Sequence, residues 1–149
     1  MPVVRFVLVS ALSLLAAACA GQMRREPDKV VIPALLRGDF TDDYRGKFTI
    51  SDTLWFQRPR NRFRIVSWHV DEQYLIAQNA SDDPTAPNLW TRIDWMRLPA
   101  MQPFEWGFCL TAYQAVSAKA AAATPPADRA NPRTGCNGFP FTRMQRADA

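Results

Sequence analysis

The feature that most constrains the fold is a series of short strand patterns, separated by turn residues, that begins near Phe40. Gly, Pro, Asn, Asp and Ser bound each run, which is typical of strands joined by tight turns. Sequential strands with short connections pair as antiparallel neighbours, so the sequence predicts a mainly β meander. A small up-and-down barrel is the expected architecture, because closure removes exposed sheet edges. An open β-sandwich is the second choice. The expected strands are residues 46–50, 53–57, 63–70, 74–78, 89–98 and 104–113.

One segment departs from the strand pattern, the alanine-rich run from Gln114 to Ala123. Alanine has the highest helix propensity, and Pro125 and Pro126 prevent the helix from continuing. The sequence therefore predicts one short Ala-rich helix near the C-terminus, followed by an extended, turn-rich tail.

The N-terminus has the pattern of an export signal. Arg5 precedes an apolar run from Phe6 to Leu15, and three alanines then lead to Cys19. A basic start, a short apolar run and small residues before the cut are the marks of such a signal. The run is too short for a membrane span, which needs roughly 20 apolar residues. An acylated Cys19 would anchor the chain to a membrane. Ordinary cleavage after Ala18 or Ala20 is the alternative.

These residues resemble the bacterial lipoprotein signal, although Ala16 stands where that signal usually has leucine. The resemblance implies a signal peptide over residues 1–18, lipidation of Cys19, and export to a bacterial membrane. Ala20 is not the aspartate that retains lipoproteins at the inner membrane, so the outer membrane, facing the periplasm, is the expected location.

The remaining chain divides into a tether and one domain. Residues 19–36 mix charges with prolines and are expected to form a flexible tether, and residues 37–149 to form a single β-rich domain. The net charge of +4 includes Arg5, which leaves with the signal. A mature chain this mildly basic does not indicate a nucleic-acid partner. The expected partners are the membrane, through the anchor, and a small ligand or an envelope protein.

The cysteine count supports the same picture. If Cys19 carries lipid, Cys109 and Cys136 remain as the even number expected in an oxidising compartment. They enclose about 26 residues, and a bridge across such a loop contributes roughly 3–4 kcal/mol. Two free thiols or metal ligands are the alternatives, but one histidine and no close cysteine pair argue against zinc. Alternation along residues 104–110 turns Cys109 away from the apolar face, so the bridge would staple the tail outside the sheet.

Four strings occur in order and together resemble a group of small exported bacterial proteins without an assigned activity. They are Tyr74–Asn79, Leu89–Trp95, Phe108–Tyr113 and Gly135–Phe139. The resemblance covers roughly residues 44–144 and implies a single domain in which the two cysteines pair. A weaker similarity to lipocalin-type barrels rests on the Gly46-Lys47-Phe48 start, where phenylalanine replaces their tryptophan.

Aromatic and charged residues suggest a ligand site. Trp90, Arg92 and Asp94 alternate on one predicted strand, and Trp106 lies on the next. A guanidinium beside tryptophan inside a cavity would suit a small apolar or anionic ligand. The alternatives are tryptophans that fill the core and a surface ion pair worth about 0–1 kcal/mol.

A second basic feature is the run of arginines at alternate positions, which are Arg58, Arg60, Arg62 and Arg64. On one strand face they would form a positive ridge able to meet anionic headgroups. The alternative is a solvated hairpin, which Pro59 favours.

Catalysis has little support in the sequence. No nucleophile elbow, phosphate-binding glycine loop or zinc-binding helix motif occurs, and His69 is the sole histidine. We therefore assign no catalytic residue, metal or cofactor, and expect a non-catalytic envelope lipoprotein. The alternative function is an envelope hydrolase that uses Asp94 and Glu105 as a carboxylate pair.

Overall fold

The computed structural model describes residues 30–147. Within them, eight consecutive strands form a closed antiparallel barrel in which each strand pairs with its sequence neighbours and β8 pairs with β1. The mainly β meander barrel with one short helix near the C-terminus is confirmed. The first and last strands were not among those predicted. The strands are β1 (Gly38–Asp42), β2 (Lys47–Ile50), β3 (Leu54–Gln57), β4 (Asn61–His69), β5 (Tyr74–Asn79), β6 (Trp90–Arg97), β7 (Trp106–Ala115) and β8 (Thr142–Arg146).

Aromatic and aliphatic side chains from alternate positions of the strands fill the barrel interior. Successive strand residues point to opposite faces, so one apolar residue in two reaches the core. On β7, Trp106 and Phe108 lie inside, whereas Cys109 belongs to a separate cluster outside. The largest buried interior side chains are Trp55, Trp106, Phe40, Phe48, Phe63, Leu75, Ile93 and Met144.

The segment before β1 closes one end of the barrel. Ile32 and Leu36 are buried in the core, and residues 34–36 form a single 3-10 turn. The Arg146 guanidinium donates to the Ala34 carbonyl oxygen at 2.7 Å. Residues 32–36 were expected to belong to the tether, and the apolar side chains of Ile32 and Leu36 cover the core. Residues 1–29, with the predicted signal and Cys19, lie outside the described residues.

An outer segment, residues 116–141, connects β7 to β8 and runs over the outside of the wall formed by β5, β6 and β7. It contains the helix α1 (Ala118–Ala123), whose N-cap is Ser117. The disulfide between Cys109 and Cys136 joins this segment to β7 with an S–S distance of 2.03 Å. Both the predicted pairing and the predicted placement outside the sheet are confirmed. Position 135 requires glycine, because the Cβ atom of any other residue would collide with the carbonyl oxygen of Asp128.

The meander places alternate connections at opposite ends of the barrel. Residues 30–37 share one end with the β2–β3 turn, where Arg37 and Asp52 form an ion pair at 3.2 Å. The β3–β4 hairpin, residues 58–60, therefore lies at the other end. Among residues 30–147, no helix has the length and apolar character required to cross a membrane.

Candidate functional site

The most elaborate polar cluster surrounds Asp94, whose side chain is fully buried. The Arg92 guanidinium donates to both carboxylate oxygens, at 2.9 and 3.1 Å. Arg129 of the outer segment donates to the same carboxylate at 3.0 Å, and the Thr111 hydroxyl donates to its second oxygen. We call Arg92, Asp94, Thr111 and Arg129 the clasp. One buried carboxylate between two guanidinium groups is paired and hydrogen-bonded, as a buried charge must be.

The two arginines of the clasp also bind the segments around it. Arg92 donates to the Ala122 carbonyl oxygen at the end of α1, at 2.8 Å, and its guanidinium lies 3.9 Å from the centre of the Tyr74 ring. Arg129 donates to the Trp95 carbonyl oxygen at 2.9 Å and to that of Gln73 at 2.7 Å. The clasp therefore fastens the outer segment to the barrel wall.

The wall separates the residues that were expected to bind a ligand together. Trp90, Arg92 and Asp94 pair in unbroken register with the outward residues of β5, so they share the outer face. Trp106 lies inside the barrel with 0% exposure. Arg92 is only 5% exposed and its partners are groups of the same chain. The geometry gives Arg92 and Asp94 a structural role in place of a shared ligand cavity.

The carboxylates of the hydrolase alternative are also apart. Asp94 lies opposite Cys109 in the β6–β7 register, and Glu105 precedes Cys109 by four residues. At about 3.3 Å per strand residue, this offset is about 13 Å along β7. A glycosidase pair requires about 5–9.5 Å. Asp94 is held by three side chains, so Asp94 and Glu105 do not form a paired acid and base.

The barrel interior is occupied by rings in mutual contact. Trp55 lies edge-to-face against Phe108 at 4.9 Å and against Trp106 at 6.0 Å between ring centres. These distances are those of packed aromatic pairs. Three buried indole N–H groups, of Trp55, Trp95 and Trp106, have no hydrogen-bond acceptor within the described residues. Neighbouring aromatic faces offer only weak N–H···π contacts. The interior is thus an aromatic core.

An open groove of about 580 Å³ lies at the end of the barrel opposite residues 30–37. Phe108, Leu110 and Gln57 line it from the barrel side, and two strongly exposed rings line its other side. Those rings are Tyr44, which is 76% exposed, and Phe139, which is 70% exposed. Exposed aromatic side chains beside a groove are typical of interaction sites.

The groove runs beside an incompletely paired strand. β7 pairs with β8 only from Trp106 to Phe108, although β7 continues to Ala115. Beyond the last pair, the Asn137 amide side chain donates to the Leu110 carbonyl oxygen at 3.4 Å. An unpaired stretch of this kind is a template for a further strand.

A polar network holds the β5–β6 loop over the same end of the barrel. The Tyr113 hydroxyl donates to Asp83 at 2.8 Å. Burial and this hydrogen bond raise the pKa of Tyr113 to about 12. Burial alone would raise the pKa of Asp83, but hydrogen bonds from the backbone N–H groups of Ala86 and Thr85 lower it below its ordinary value. Asn79 joins the loop to β7 by donating to the carbonyl oxygens of Ala86 and Tyr113. The network stabilises the β5–β6 loop at this end of the barrel.

The alternating arginines form an exposed patch on the outer wall. Arg62 and Arg64 lie on β4, whereas Arg58 and Arg60 belong to the hairpin before it, and all four are exposed. The guanidinium groups of Arg58 and Arg62 both cover the Phe56 ring, at 5.0 and 4.6 Å. We call the four arginines with Phe56 the arginine patch.

Neither the protein-family models, nor the curated proteins, nor the solved structures contain a match to this chain. Within residues 30–147, no three His, Cys, Asp or Glu side chains are grouped to hold a metal ion. Sequence reasoning found Arg92, Asp94 and the cysteines. It missed Arg129 and the groove rings, because these meet their neighbours only across long chain separations.

Proposed function

We propose that this protein is an exported, lipid-anchored, non-catalytic binding protein whose barrel presents a groove to a polypeptide partner of the bacterial cell envelope. The observation that carries the proposal is the contrast between the filled interior and the open groove. Packed rings occupy the space that a small ligand would need in a lipocalin-type barrel. The exposed rings of Tyr44 and Phe139 beside the groove favour a macromolecular partner.

The incompletely paired edge of β7 favours an extended polypeptide as the occupant. A segment lying in the groove could pair with β7 beyond Phe108, where the β8 register ends. Main-chain hydrogen bonds would supply affinity, and Tyr44 and Phe139 would contact side chains of the segment. The weak contact from Asn137 to the Leu110 carbonyl oxygen occupies this edge, and an incoming N–H group would replace it.

A photo-cross-linking amino acid placed at position 139 tests the groove in living cells. The expected result is a protein adduct at position 139 that is absent at position 66, since Val66 is exposed on the wall away from the groove. The identified partner should then bind the purified Phe139→Ser variant at least tenfold more weakly, with the unfolding transition unchanged. Equal adducts at both positions, or a small molecule retained in native mass spectra and released by unfolding, would contradict the proposal.

The anchor requires a separate measurement. Intact mass of the membrane-extracted protein should show a chain that begins at Cys19 and carries acyl mass. The Cys19→Ala variant should be released from the membrane fraction. An unmodified N-terminus after Ala18 or Ala20 would remove the anchor from the proposal and leave the groove untouched.

A further inference from the structure

We propose that the arginine patch is a binding surface for polyanions with closely spaced phosphate groups. The surface is separate from the groove, and its partner differs in kind. Four exposed guanidinium groups lie on or beside one hairpin, and a guanidinium binds phosphate oxygens through two parallel hydrogen bonds. Two observations support this: the chain places few acidic side chains near the four guanidinium groups, and the Phe56 ring holds two of them in position.

The chain supplies little counter-charge to the patch. Arg58 donates to the Thr49 hydroxyl at 2.9 Å and Arg64 to the Gln78 amide oxygen at 2.8 Å, and both partners are neutral. Within the described residues, the patch makes one ion pair, between Arg62 and Asp82 at 3.7 Å. Both members are largely exposed, so this pair is weak. The Asp39 carboxylate is linked to Arg58 only through the Thr49 hydroxyl, which donates to Asp39 at 2.6 Å, so a net positive charge of about two to three remains available to an anion.

Phe56 gives the patch a fixed shape. Its ring lies on the outer face of β3, opposite Arg62 in the register. The guanidinium groups of Arg62, on β4, and of Arg58, which follows β3, both contact this ring. Cation–π contacts restrict both guanidinium groups while their N–H groups stay exposed. A solvated charge run needs no such support, whereas an anion-binding surface benefits because less side-chain entropy is lost on binding.

The location of the patch bears on the source of the phosphates. Residues 30–37 lead into the barrel at one end, and the Arg58 and Arg60 hairpin lies at the other. A chain anchored through its N-terminus would thus present the hairpin away from the anchoring membrane. The phosphates would come from a soluble polymer or from the headgroups of a second surface. Only this last step rests on the proposed anchor.

Inorganic polyphosphate is the first probe, with the full-length protein extracted in a neutral detergent. The Arg60→Gln/Arg62→Gln variant should bind polyphosphate at least tenfold more weakly than the unaltered protein at low salt. The dependence of log affinity on log salt concentration should also fall by about one to two. The control is Arg97→Gln/Arg133→Gln, which removes the same charge from exposed positions outside the patch and should retain nearly all binding.

Two vesicle populations distinguish the sources. The anchored protein is placed in neutral phosphatidylcholine vesicles and mixed with phosphatidylglycerol vesicles. Bridging that is lost in the Arg60→Gln/Arg62→Gln variant assigns the patch to headgroups of a second membrane. Polyphosphate binding without bridging assigns it to a soluble polymer. Absence of polyphosphate binding, or equal weakening in the control variant, overturns the proposal whether or not Cys19 carries lipid.

Discussion

The clasp and the arginine patch both hold arginines against the outer wall of one barrel, yet they differ in the groups that accept hydrogen bonds from the guanidinium groups. In the clasp, Asp94 and backbone carbonyl oxygens accept hydrogen bonds from the guanidinium groups of Arg92 and Arg129. In the patch, neutral side chains and one exposed ion pair do so.

The difference in burial determines how much each arginine contributes to the free energy of unfolding. A buried charge without its partner costs several kcal/mol, so the clasp must be complete for the outer segment to stay in place. An exposed guanidinium is already solvated by water and contributes little to stability. Arginine therefore supports the fold in the clasp and is available for binding in the patch. Unfolding measurements can separate the two roles.

The largest effect is expected from Asp94→Asn, which keeps the shape of the side chain and removes its charge. Arg92 and Arg129 would then be cations at a site without a counter-charge, so the unfolding free energy should fall by about 3–5 kcal/mol. Urea denaturation at neutral pH measures it. Asp71→Asn, at an exposed turn, is the matched control and should change stability by less than about 0.5 kcal/mol. A similar loss of unfolding free energy in the two variants would show that Asp94 contributes no more to stability than an exposed carboxylate does.

Removing the disulfide should cost slightly less. The bridge closes a separation of 27 residues, and replacement of Cys109 and Cys136 by serine should lower the unfolding free energy by about 3.5 kcal/mol. Reductant should reproduce the loss in the unaltered protein and have no further effect on the variant.

Combining the cysteine replacements with Asp94→Asn tests whether the clasp and the disulfide act together. The clasp and the disulfide fasten the same outer segment, so the two losses should not add. Simple additivity in a double-mutant cycle would mean that each acts on its own part of the segment.

The polar network at the open end should give a smaller, pH-dependent effect. Tyr113→Phe removes the hydrogen bond to Asp83, and we expect a loss of about 1–2 kcal/mol at pH 7. Because the pKa of Tyr113 is raised to about 12 in the folded state, its contribution is complete below pH 10 and is lost as the pH rises towards 12. Unfolding free energies of the two proteins should therefore converge between about pH 10 and 12. Parallel curves would contradict the raised pKa.

The smallest effect is expected in the patch. Arg62→Gln/Arg64→Gln should change the unfolding free energy by no more than about 0.5 kcal/mol, because both side chains are exposed. The comparison is Arg92→Gln, which removes the central cation of the clasp and should cost several times more. A loss above about 1 kcal/mol in the patch variant would mean that these arginines support the fold.

Local chemistry explains how much of the fold could be predicted. The strand patterns, their turn residues and the alanine-rich helix depend on neighbours in sequence, and most of them appear as predicted. β1 and β8 carry one apolar residue each and pair with each other across about 100 residues, so apolar alternation does not mark them in the sequence. Ile32 and Leu36 lie among prolines and charges, and only the barrel end that they cover makes them core residues.

The candidate site was less predictable for the same reason. The alternation of strand residues correctly predicted that Arg92 and Asp94 share one face of β6. It also correctly predicted that Cys109 lies on the outer face of β7. The identity of that face as an outer wall covered by residues 116–141 depends on how the sheet closes. Arg129 reaches Asp94 across 35 residues, and Tyr113 reaches Asp83 across 30. Contacts of this length leave no spacing rule in the sequence.

From the sequence alone followed the order of β2 to β7, the single helix and the pairing of Cys109 with Cys136, because propensity, alternation and residue count are local or compositional properties. The tertiary structure alone decided that the tryptophans fill the barrel, that Asp94 binds the outer segment, and that Tyr44 and Phe139 lie beside an open groove. Those outcomes depend on which surfaces come into contact when the sheet closes. A ring is buried, or a charge paired, only once those long-range contacts have formed.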